Sequence, residues 1–535
     1  MTVIRTDNQT LCVSPCTADT SRYLMLASGT AAEYTTSGAG DTTTVACSTL
    51  TDANDTHVGR VVEFLSGTNE GLMVFCTDSA SGSLTVETMP SAPGSGARFR
   101  ILANTFSTTI ASAGSTTEWT DTDINDADDY WNHFQVRPIK ATESITDEMA
   151  IVTDFVQSTG VFTVATFDAT VTAGDVAILE RPLLAEDLSV EHPVDMIERN
   201  PIRNTNVPEQ SIAGARRGGT VSFSLPVKGD NTGAGDGVTW TRSNDCLALL
   251  ESCFGALTLD TGDTDQAGGN ATVIAVSDGT RFTAGCPVMI NGEVRTIASI
   301  SGNNVTLESA LSDAPASGDV VYGAASVRYA STGHYPVNFE YWEDQILYRF
   351  FSCQGTVTFS TDAAGRLMAN FSFQAQSWSS LNQACPVTKI HTKYPARDVE
   401  DIIARDTPVR FDTTEVEVAT YSVDPALQVS ARPATGGIEG SKAFLVTGCK
   451  PTFSCNPVKE NHTYDLAVRK QSTYDHGAQF SSKPGNAFFS WMPKVQLTSN
   501  GSEDAEGYKR NTIAGKAVVP ASTDPLGEGI VISFL

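Results

Sequence analysis

The chain has 535 residues, of which 40% are hydrophobic, and its 62 acidic against 35 basic residues give a formal net charge of −27. This apolar content is sufficient for packed cores and excludes wholesale disorder. A chain this acidic lacks the clustered Lys and Arg needed to grip a nucleic-acid backbone, although an acidic wall that nucleic acid passes without adhering is compatible with it. The alternative interpretation of the charge is solubility alone.

The N-terminal residues 1–40 are polar and rich in turn residues, and we expect them to form an arm or edge strand. Residues 1–7 lack the basic start and apolar stretch of a signal peptide. No segment of the chain approaches the roughly 18 consecutive apolar residues needed to span a bilayer. We therefore expect a soluble protein made in the cytoplasm.

Three segments have the pattern of one small β unit, repeated. They predict small β modules over residues 41–110, 111–182 and 258–326. Each contains a short alternating strand followed by a turn rich in Pro or Gly, and these strands are Leu84-Thr85-Val86, Phe162-Thr163-Val164 and Val305-Thr306-Leu307. The third module interrupts another domain. Inserted β modules are typical of surface decoration, so the repeat favours a structural protein over an enzyme.

Two larger β domains remain, at 183–257 with 327–385 and at 386–535. In the first, Gly219 to Leu225 alternates with period two, which places its apolar residues on one face of a strand. Cys246 to Phe254, preceded by a Ser-Asn-Asp cap and followed by a glycine, predicts one short helix. Residues 355–374 predict an antiparallel hairpin. The fold class is therefore mainly β, with one short helix.

The sequence contains no recognisable catalytic, cofactor-binding or metal-binding pattern. The seven histidines have no i,i+4 pairing, and neither a Gly-x-Ser-x-Gly elbow nor a phosphate-binding loop is present. The close pairs Cys12/Cys16 and Cys449/Cys455 do not have zinc-ribbon spacing, and the acidic run at 121–129 lacks the Gly and Glu of a calcium loop. We predict that the protein is not an enzyme and has no cofactor. The odd number of 11 cysteines leaves the disulfide state open.

From residue 183 onward, the order of elements resembles the tail tube proteins of long-tailed, siphovirus-like bacteriophages. The segments that carry this resemblance are Ile197–Asn200, Ser211–Gly214, Thr220–Leu225, Leu247–Gly255 and Cys353–Phe373. The small units resemble β modules common in phage virion proteins, notably at 128–132 and 173–175. The resemblance implies tail-tube-type β-sandwich or barrel domains, two of them in tandem, with added decoration modules.

The function that this resemblance implies is structural. Copies of the chain would form stacked rings, trimeric or hexameric, that polymerise into the phage tail tube and guide DNA ejection into the host. The implied partners are other copies of the chain, tail proteins such as the tape measure, tail tip and terminator, and DNA in transient, non-specific passage, with no membrane. The implied location is the virion tail, after assembly in the host bacterial cytoplasm. The alternative is a carbohydrate-binding fibre or adhesin protein built on repeated β modules.

Two sets of residues are candidates for contacts in such an assembly. Arg216, Arg217, Gly218 and Gly219 are candidates for an inter-subunit contact between rings, the alternative being a flexible basic turn. The candidates to face the lumen are Ser222, Ser224, Thr356, Thr358, Ser372 and Gln374. A polar lumen would let DNA pass without being held, but these residues equally fit the solvent side of an ordinary β-sandwich.

Overall fold

A computed structural model describes residues 9–15, 33–38, 40–102, 107–109, 115–122, 124, 130–132, 134–140, 149–191, 196–197, 212–213, 218–229, 233–240, 245–361, 365–383, 400–404, 408–433, 441–505, 507–518 and 529–535. Over these ranges the protein is mainly β, as predicted, with two α-helices. Neither helix is long and apolar enough to cross a bilayer.

The N-terminal strands are β1 (Gln9–Pro15), β2 (Glu33–Thr35), β3 (Thr44–Ala46), β4 (Val61–Phe64), β5 (Met73–Ala80), β6 (Ser83–Val86), β7 (Arg98–Ile101), β8 (Ser107–Thr109), β9 (Glu118–Thr120), β10 (Gln135–Lys140), β11 (Ala150–Val156), β12 (Val161–Val164) and β13 (Val176–Leu183).

The central elements are β14 (Glu186–Glu191), β15 (Met196–Ile197), β16 (Ile212–Ala213), β17 (Gly219–Pro226), helix α1 (Asp245–Phe254), β18 (Gly255–Leu259), β19 (Asp263–Thr264), β20 (Val273–Ala275), β21 (Pro287–Ile290), β22 (Glu293–Ser301), β23 (Asn304–Leu307), β24 (Val320–Tyr322), β25 (Ala325–Tyr329), β26 (Val337–Glu343), β27 (Ile346–Thr361), β28 (Met368–Ala375) and β29 (Ser377–Leu381).

The C-terminal elements are β30 (Val409–Phe411), β31 (Thr414–Val416), β32 (Val418–Asp424), β33 (Gln428–Pro433), β34 (Ser441–Gly448), β35 (Thr452–Pro457), helix α2 (Thr463–Lys470), β36 (Thr473–Phe480), β37 (Phe488–Ala505), β38 (Tyr508–Ala517) and β39 (Val531–Phe534).

The three small modules share one strand order. The orders are β2-β7-β4-β5-β6-β3 in module 1, β8-β13-β10-β11-β12-β9 in module 2 and β19-β24-β21-β22-β23-β20 in module 3. Numbered by position within each module, all three read 1-6-3-4-5-2. The fourth strand also has a register shift at matching positions, after Cys76, Val152 and Ile297. A β-bulge increases local twist, which curls each sheet around its own apolar cluster.

The N-terminal segment contributes to two sheets. Strand β1 lies between β13 of module 2 and β26, and it pairs with both. Strand β2 pairs with β7, so the sheet of module 1 starts at Glu33, ahead of the boundary predicted at residue 41. The expected N-terminal arm therefore supplies one strand of module 1 and one strand that joins module 2 to the first half.

The two larger domains also share one strand order. The first half (183–257 with 327–383) has the order β14-β17-β28-β27-β26, and the second half (408–535) has β32-β35-β38-β37-β36. In each half a two-stranded ribbon connects the first two strands, β15–β16 in one and β33–β34 in the other. In each half a helix follows the second strand. Module 3 is inserted into the first half, between β18 and β25.

The halves are joined into one sheet by a pairing that we call the internal seam. There, the distal end of β27 pairs with β32, with Phe359 opposite Val423, Ser360 opposite Ser422 and Thr361 opposite Tyr421. The result is an eight-stranded sheet, β14-β17-β28-β27-β32-β35-β38-β37, which we call the shared sheet.

An apolar core covers one face of the shared sheet. In the first half, the ring of Phe223 lies 5.5 Å from that of Phe371 and 5.7 Å from that of Phe339. Helix α1 is the predicted helix, and its Leu247, Leu250 and Phe254 are buried in this core. Helix α2 was not predicted, and Ala467 is its one buried residue.

Candidate assembly surface

The face of the shared sheet opposite the core is lined by hydroxyl and amide side chains, and we call it the hydroxyl face. The six predicted lumen-facing residues all lie on it, because Ser222 is opposite Ser372 and Ser372 is opposite Thr356, while Ser224, Gln374 and Thr358 have the same alternation. Ser372 and Gln374 are exposed, and the other four are half-buried. Whether this face lines a lumen stays a prediction, since nothing in a single chain tests it.

Hydrogen bonds connect the hydroxyl face across its strands. The Ser222 hydroxyl donates to Ser372 Oγ at 3.1 Å, and the Ser224 hydroxyl donates to Asn370 Oδ1 at 2.8 Å. The Asn370 amide in turn donates to Ser360 Oγ at 3.2 Å. Because these groups satisfy one another, the part of the face on β17, β28 and β27 presents neutral side chains that are already hydrogen-bonded.

The hydroxyl face continues across the internal seam into the second half. Ser360 is opposite Ser422, and Ser422 is opposite Ser454. On β14, β17, β28 and residues 354–361 of β27, no position on this face carries a Lys or Arg, whereas in the second half Lys516, opposite Thr452, lies on it. The first-half part of the surface therefore offers no cationic row that could retain a phosphate backbone.

On the core face of the shared sheet, each half places a glycine directly opposite a phenylalanine of the neighbouring strand. A Cβ added at Gly355 would lie 2.5 Å from Phe373 Cδ1, and one added at Gly515 would lie 2.3 Å from Phe453 Cε1. The phenylalanine and the glycine lie on β28 and β27 in the first half but on β35 and β38 in the second. The two sequences therefore differ, while each pair still combines one large and one small residue.

The shared sheet ends in two strand edges. Among the described residues, β14 pairs only with β17, and residues 499–505 of β37 pair only with β38. An edge strand presents backbone N–H and C=O groups that can pair with another chain. The two outer strands of the shared sheet therefore form a candidate site of assembly.

The predicted ring contact at 216–219 is only partly described. Arg216 and Arg217 lie outside the described residues, and Gly218 precedes the first residue of β17. Gly219 is buried, and a Cβ at this position would lie 2.8 Å from Phe350 Cε1. Close packing thus accounts for Gly219 without an inter-subunit contact.

A buried chain of alternating charges, which sequence reasoning missed, ties modules 1 and 2 to the first half. Arg349 Nη2 donates to Glu87 Oε1 of module 1 at 2.8 Å, and Arg349 Nε donates to Glu340 Oε1 at 2.7 Å. Glu340 also pairs with Arg137 of module 2, whose Nε donates to Glu180 Oε1 at 2.8 Å. All five side chains are at least 88% shielded.

The charge chain contains three carboxylates and two guanidiniums, so its charges do not cancel. Burial raises the pKa of Glu180 to about 6. Burial also acts to raise the pKa of Glu340, but the guanidiniums of Arg137 and Arg349 outweigh it and lower that pKa below its usual range. The signal in the sequence was charged residues inside apolar strands, as in Leu179-Glu180-Arg181.

Module 1 docks on the first half and module 3 on the second half, and both use the same position of the module. Met73 and Val294, each three residues before the register shift, donate their backbone N–H to a side chain of the larger domain. The acceptors are Ser379 Oγ at 3.0 Å and Gln479 Oε1 at 3.1 Å. Module 1 adds the ion pair to Arg349, whereas module 3 packs on the aromatic rings of Phe489 and Trp491.

Titratable groups with strongly altered pKa values lie in structural positions. Burial raises the pKa of Asp260 to about 7, where Asp260 Oδ1 accepts from Thr283 Oγ1 at the junction with module 3. Burial lowers the pKa of His476 to about 3, and its ring stacks 4.0 Å from that of Phe453. Over the described ranges, no group of three His, Cys, Asp or Glu side chains is placed to hold a metal ion.

No protein-family model and no curated protein sequence matches this chain.

Proposed function

We propose that this protein is a structural virion protein whose copies form rings that stack into the tail tube of a long-tailed bacteriophage, a conduit for DNA ejection into the host. The observation that carries the proposal is the shared sheet. Two halves of equal strand order are already joined edge to edge, and the outer edges of that pair match the edges joined inside it.

Ring formation follows from the positions of these edges. The contact would join β14 of one chain to β37 of the next, which is a head-to-tail contact between different surfaces. Such contacts generate closed rings when the rotation between subunits closes. Closure of the sheet also removes the exposed edges that would otherwise cause aggregation.

The repeated half supports a trimeric stoichiometry for the ring. Because each chain supplies two equivalent four-stranded units, three chains give the six units that a single-domain hexamer would give. We therefore propose a trimeric ring with pseudo-sixfold symmetry.

The hydroxyl face would form the bore of the tube. The neutral side chains on its strands β17, β28 and β27 and the net charge of −27 both oppose lasting contact between the wall and DNA. The modules pack on other parts of the two halves and would decorate the outside.

The carbohydrate-binding alternative has less support. Sugar-binding modules commonly present exposed aromatic rings, yet the exposed large apolar residues of the described chain are Leu184, Val238, Ile403, Leu445, Leu466 and Tyr508. None of these lies within the described parts of the three modules.

Negative-stain electron microscopy of the purified chain at increasing concentration tests the proposal. We expect rings and stacked tubes with an open bore. A protein that remains monomeric at high concentration and in the presence of crowding agents would contradict the proposal, and binding of isolated glycans by the intact chain would favour the adhesin instead.

A further inference from the structure

The pairing between the two halves also predicts which residues meet between chains. Resting on the proposed ring, we propose that the contact between neighbouring chains repeats the internal seam residue by residue, with Ser502, Glu503 and Asp504 of β37 opposite Val190, Ser189 and Leu188 of β14 in the next chain. The occupant of each open edge is thus a second copy of this chain.

The correspondence between the halves starts from a row of paired residues on the core face. In the first half, Val190 is opposite Val221, Val221 is opposite Phe373, and Phe373 is opposite Gly355. In the second half, the matching row is Val423, Phe453, Gly515 and Leu497. Both rows face the core, and in each half the row lies one residue in from the last pair before the ribbon, which is Glu191 with Thr220 in the first half and Asp424 with Thr452 in the second. Val190 therefore corresponds to Val423, and Gly355 corresponds to Leu497.

The β27–β28 and β37–β38 hairpins extend this correspondence to the edge of the sheet. In the first half, Val357 is opposite Phe371. In the second half, Ile513 corresponds to Phe371 and is opposite Asn500, because β37 has a register shift between Leu497 and Ser499. Counting on along both strands, Phe359 corresponds to Ser502 and Ser360 to Glu503. Since Phe359 meets Val423 and Ser360 meets Ser422 at the internal seam, Ser502 should meet Val190 and Glu503 should meet Ser189.

The side chains at the proposed contact are compatible with this register. Ser189 is exposed and Glu503 is half-buried, and both positions lie on the hydroxyl face. A serine hydroxyl opposite a carboxylate can donate a hydrogen bond to it, and such charge-assisted bonds are stronger than neutral ones. Ser502 is exposed in the single chain, and pairing with the half-buried Val190 would cover both.

Cysteine cross-linking of the full-length chain measures this register directly. Directly opposed residues of antiparallel strands have Cβ atoms ~4.5–5.5 Å apart, close to the separation that a disulfide requires. The test variant is Ser189→Cys with Glu503→Cys. A matched internal control, Ser360→Cys with Ser422→Cys, reports how well an opposed pair on this face forms a disulfide.

The off-register control is Glu191→Cys with Glu503→Cys, which keeps one cysteine and moves the other by two residues on the same face. After mild oxidation, non-reducing gels of the test variant should show dimers and trimers as the main species, whereas the internal control should remain monomeric but disulfide-bonded. The off-register variant and the wild-type chain, with its native cysteines, should give only background linkage.

The result has a distinct meaning for each claim. Two results would overturn the proposed register and leave the proposed function intact. In both, rings form, but either the off-register pair links as well as the test pair, or only the internal pair links. Failure of the wild-type chain to form rings would overturn the function. If the double variant does not fold, mixing the two single-cysteine variants must produce a linked heterodimer, and its absence from mixed rings would overturn the register.

Discussion

The two halves of the shared sheet have the same strand order and place a ribbon and a helix at the same points, but they differ in how the helix packs and in what is inserted. The first half buries helix α1 in its core and carries an inserted module, whereas the second half has the mostly exposed helix α2 and no insertion. The strand order is therefore the constant feature, and the helix and the decoration are variable. A surface repeated in both halves is the one to examine for assembly, because it is required twice in every chain.

The docking of modules 1 and 3 shows a second difference between the halves. Module 1 is held to the first half partly by buried ion pairs, and module 3 is held to the second half by apolar and aromatic contacts. The consequences of disturbing the two contacts should therefore differ in size and in their dependence on pH.

The largest effect is expected from breaking the charge chain. Arg349→Met would remove the guanidinium that pairs with Glu87 and leave Glu340 with Arg137 alone, and an unpaired buried charge costs about 3–5 kcal/mol of unfolding free energy. Urea unfolding measures this loss. Arg98→Met, which removes an exposed pair with Glu33, should cost less than about 1 kcal/mol. Equal losses for the two variants would show that the charge chain does not hold module 1.

The next effect concerns the glycine rows of the two halves. Gly355→Ala and Gly515→Ala would each push a methyl group into a phenylalanine ring, and such overpacking costs roughly 1–3 kcal/mol. Gly94→Ala is the control, because open space surrounds its Cβ position. Thermal unfolding should rank both core variants below the control. A neutral effect in one half alone would show that the two rows are not equivalent.

A smaller and pH-dependent effect is expected at Asp260, where module 3 joins the first half. Its pKa is raised to about 7 in the folded chain, so the folded state binds the proton more tightly than the unfolded state. Its contribution to stability is therefore present below its unfolded pKa and is lost as pH rises through about 7.

Asp260→Asn removes this dependence, because the amide carries no charge at any pH. Relative to wild type, the variant should gain roughly 2 kcal/mol of unfolding free energy between pH 5 and pH 8. Unfolding at the two pH values measures the gain. The exposed Asp313→Asn in the same module is the control, and an equal gain there would rule out Asp260 as the cause.

The smallest effect is expected on the hydroxyl face. Ser224→Ala removes the hydrogen bond to Asn370 Oδ1, and a half-exposed neutral bond contributes about 0.5–1.5 kcal/mol. The exposed Ser454→Ala should be nearly neutral. Ring formation should be unchanged in both variants, and a loss of rings with Ser224→Ala would show that this face mediates assembly and does not simply line the bore.

The sequence was sufficient to predict the repeated modules, the tandem β domains and helix α1, because alternation and capping are local signals. It was insufficient for helix α2, whose apolar stripe of Tyr464, Ala467 and Val468 is short and buries only Ala467 fully. The remaining signals were Asp465 in its first turn and Arg469 with Lys470 in its last, which favour a helix through its dipole.

Long-range pairings were also beyond the sequence. The charge chain joins Glu87 to Arg349 across 262 positions, and a charged residue inside an apolar strand indicates burial but not the partner that it meets. The internal seam depends on the distal half of β27 lying against β32. Nothing in the local pattern of either strand specifies its neighbour, since alternation sets the face of a strand but not the strand beside it.

An electron cryomicroscopy reconstruction of the assembled protein tests the central claim most directly. We predict a closed sheet in which β37 of one chain pairs with β14 of the next, with Glu503 opposite Ser189 and with the hydroxyl face lining the bore. A ring in which these edges remain unpaired, or in which the hydroxyl face points outward, would contradict the account.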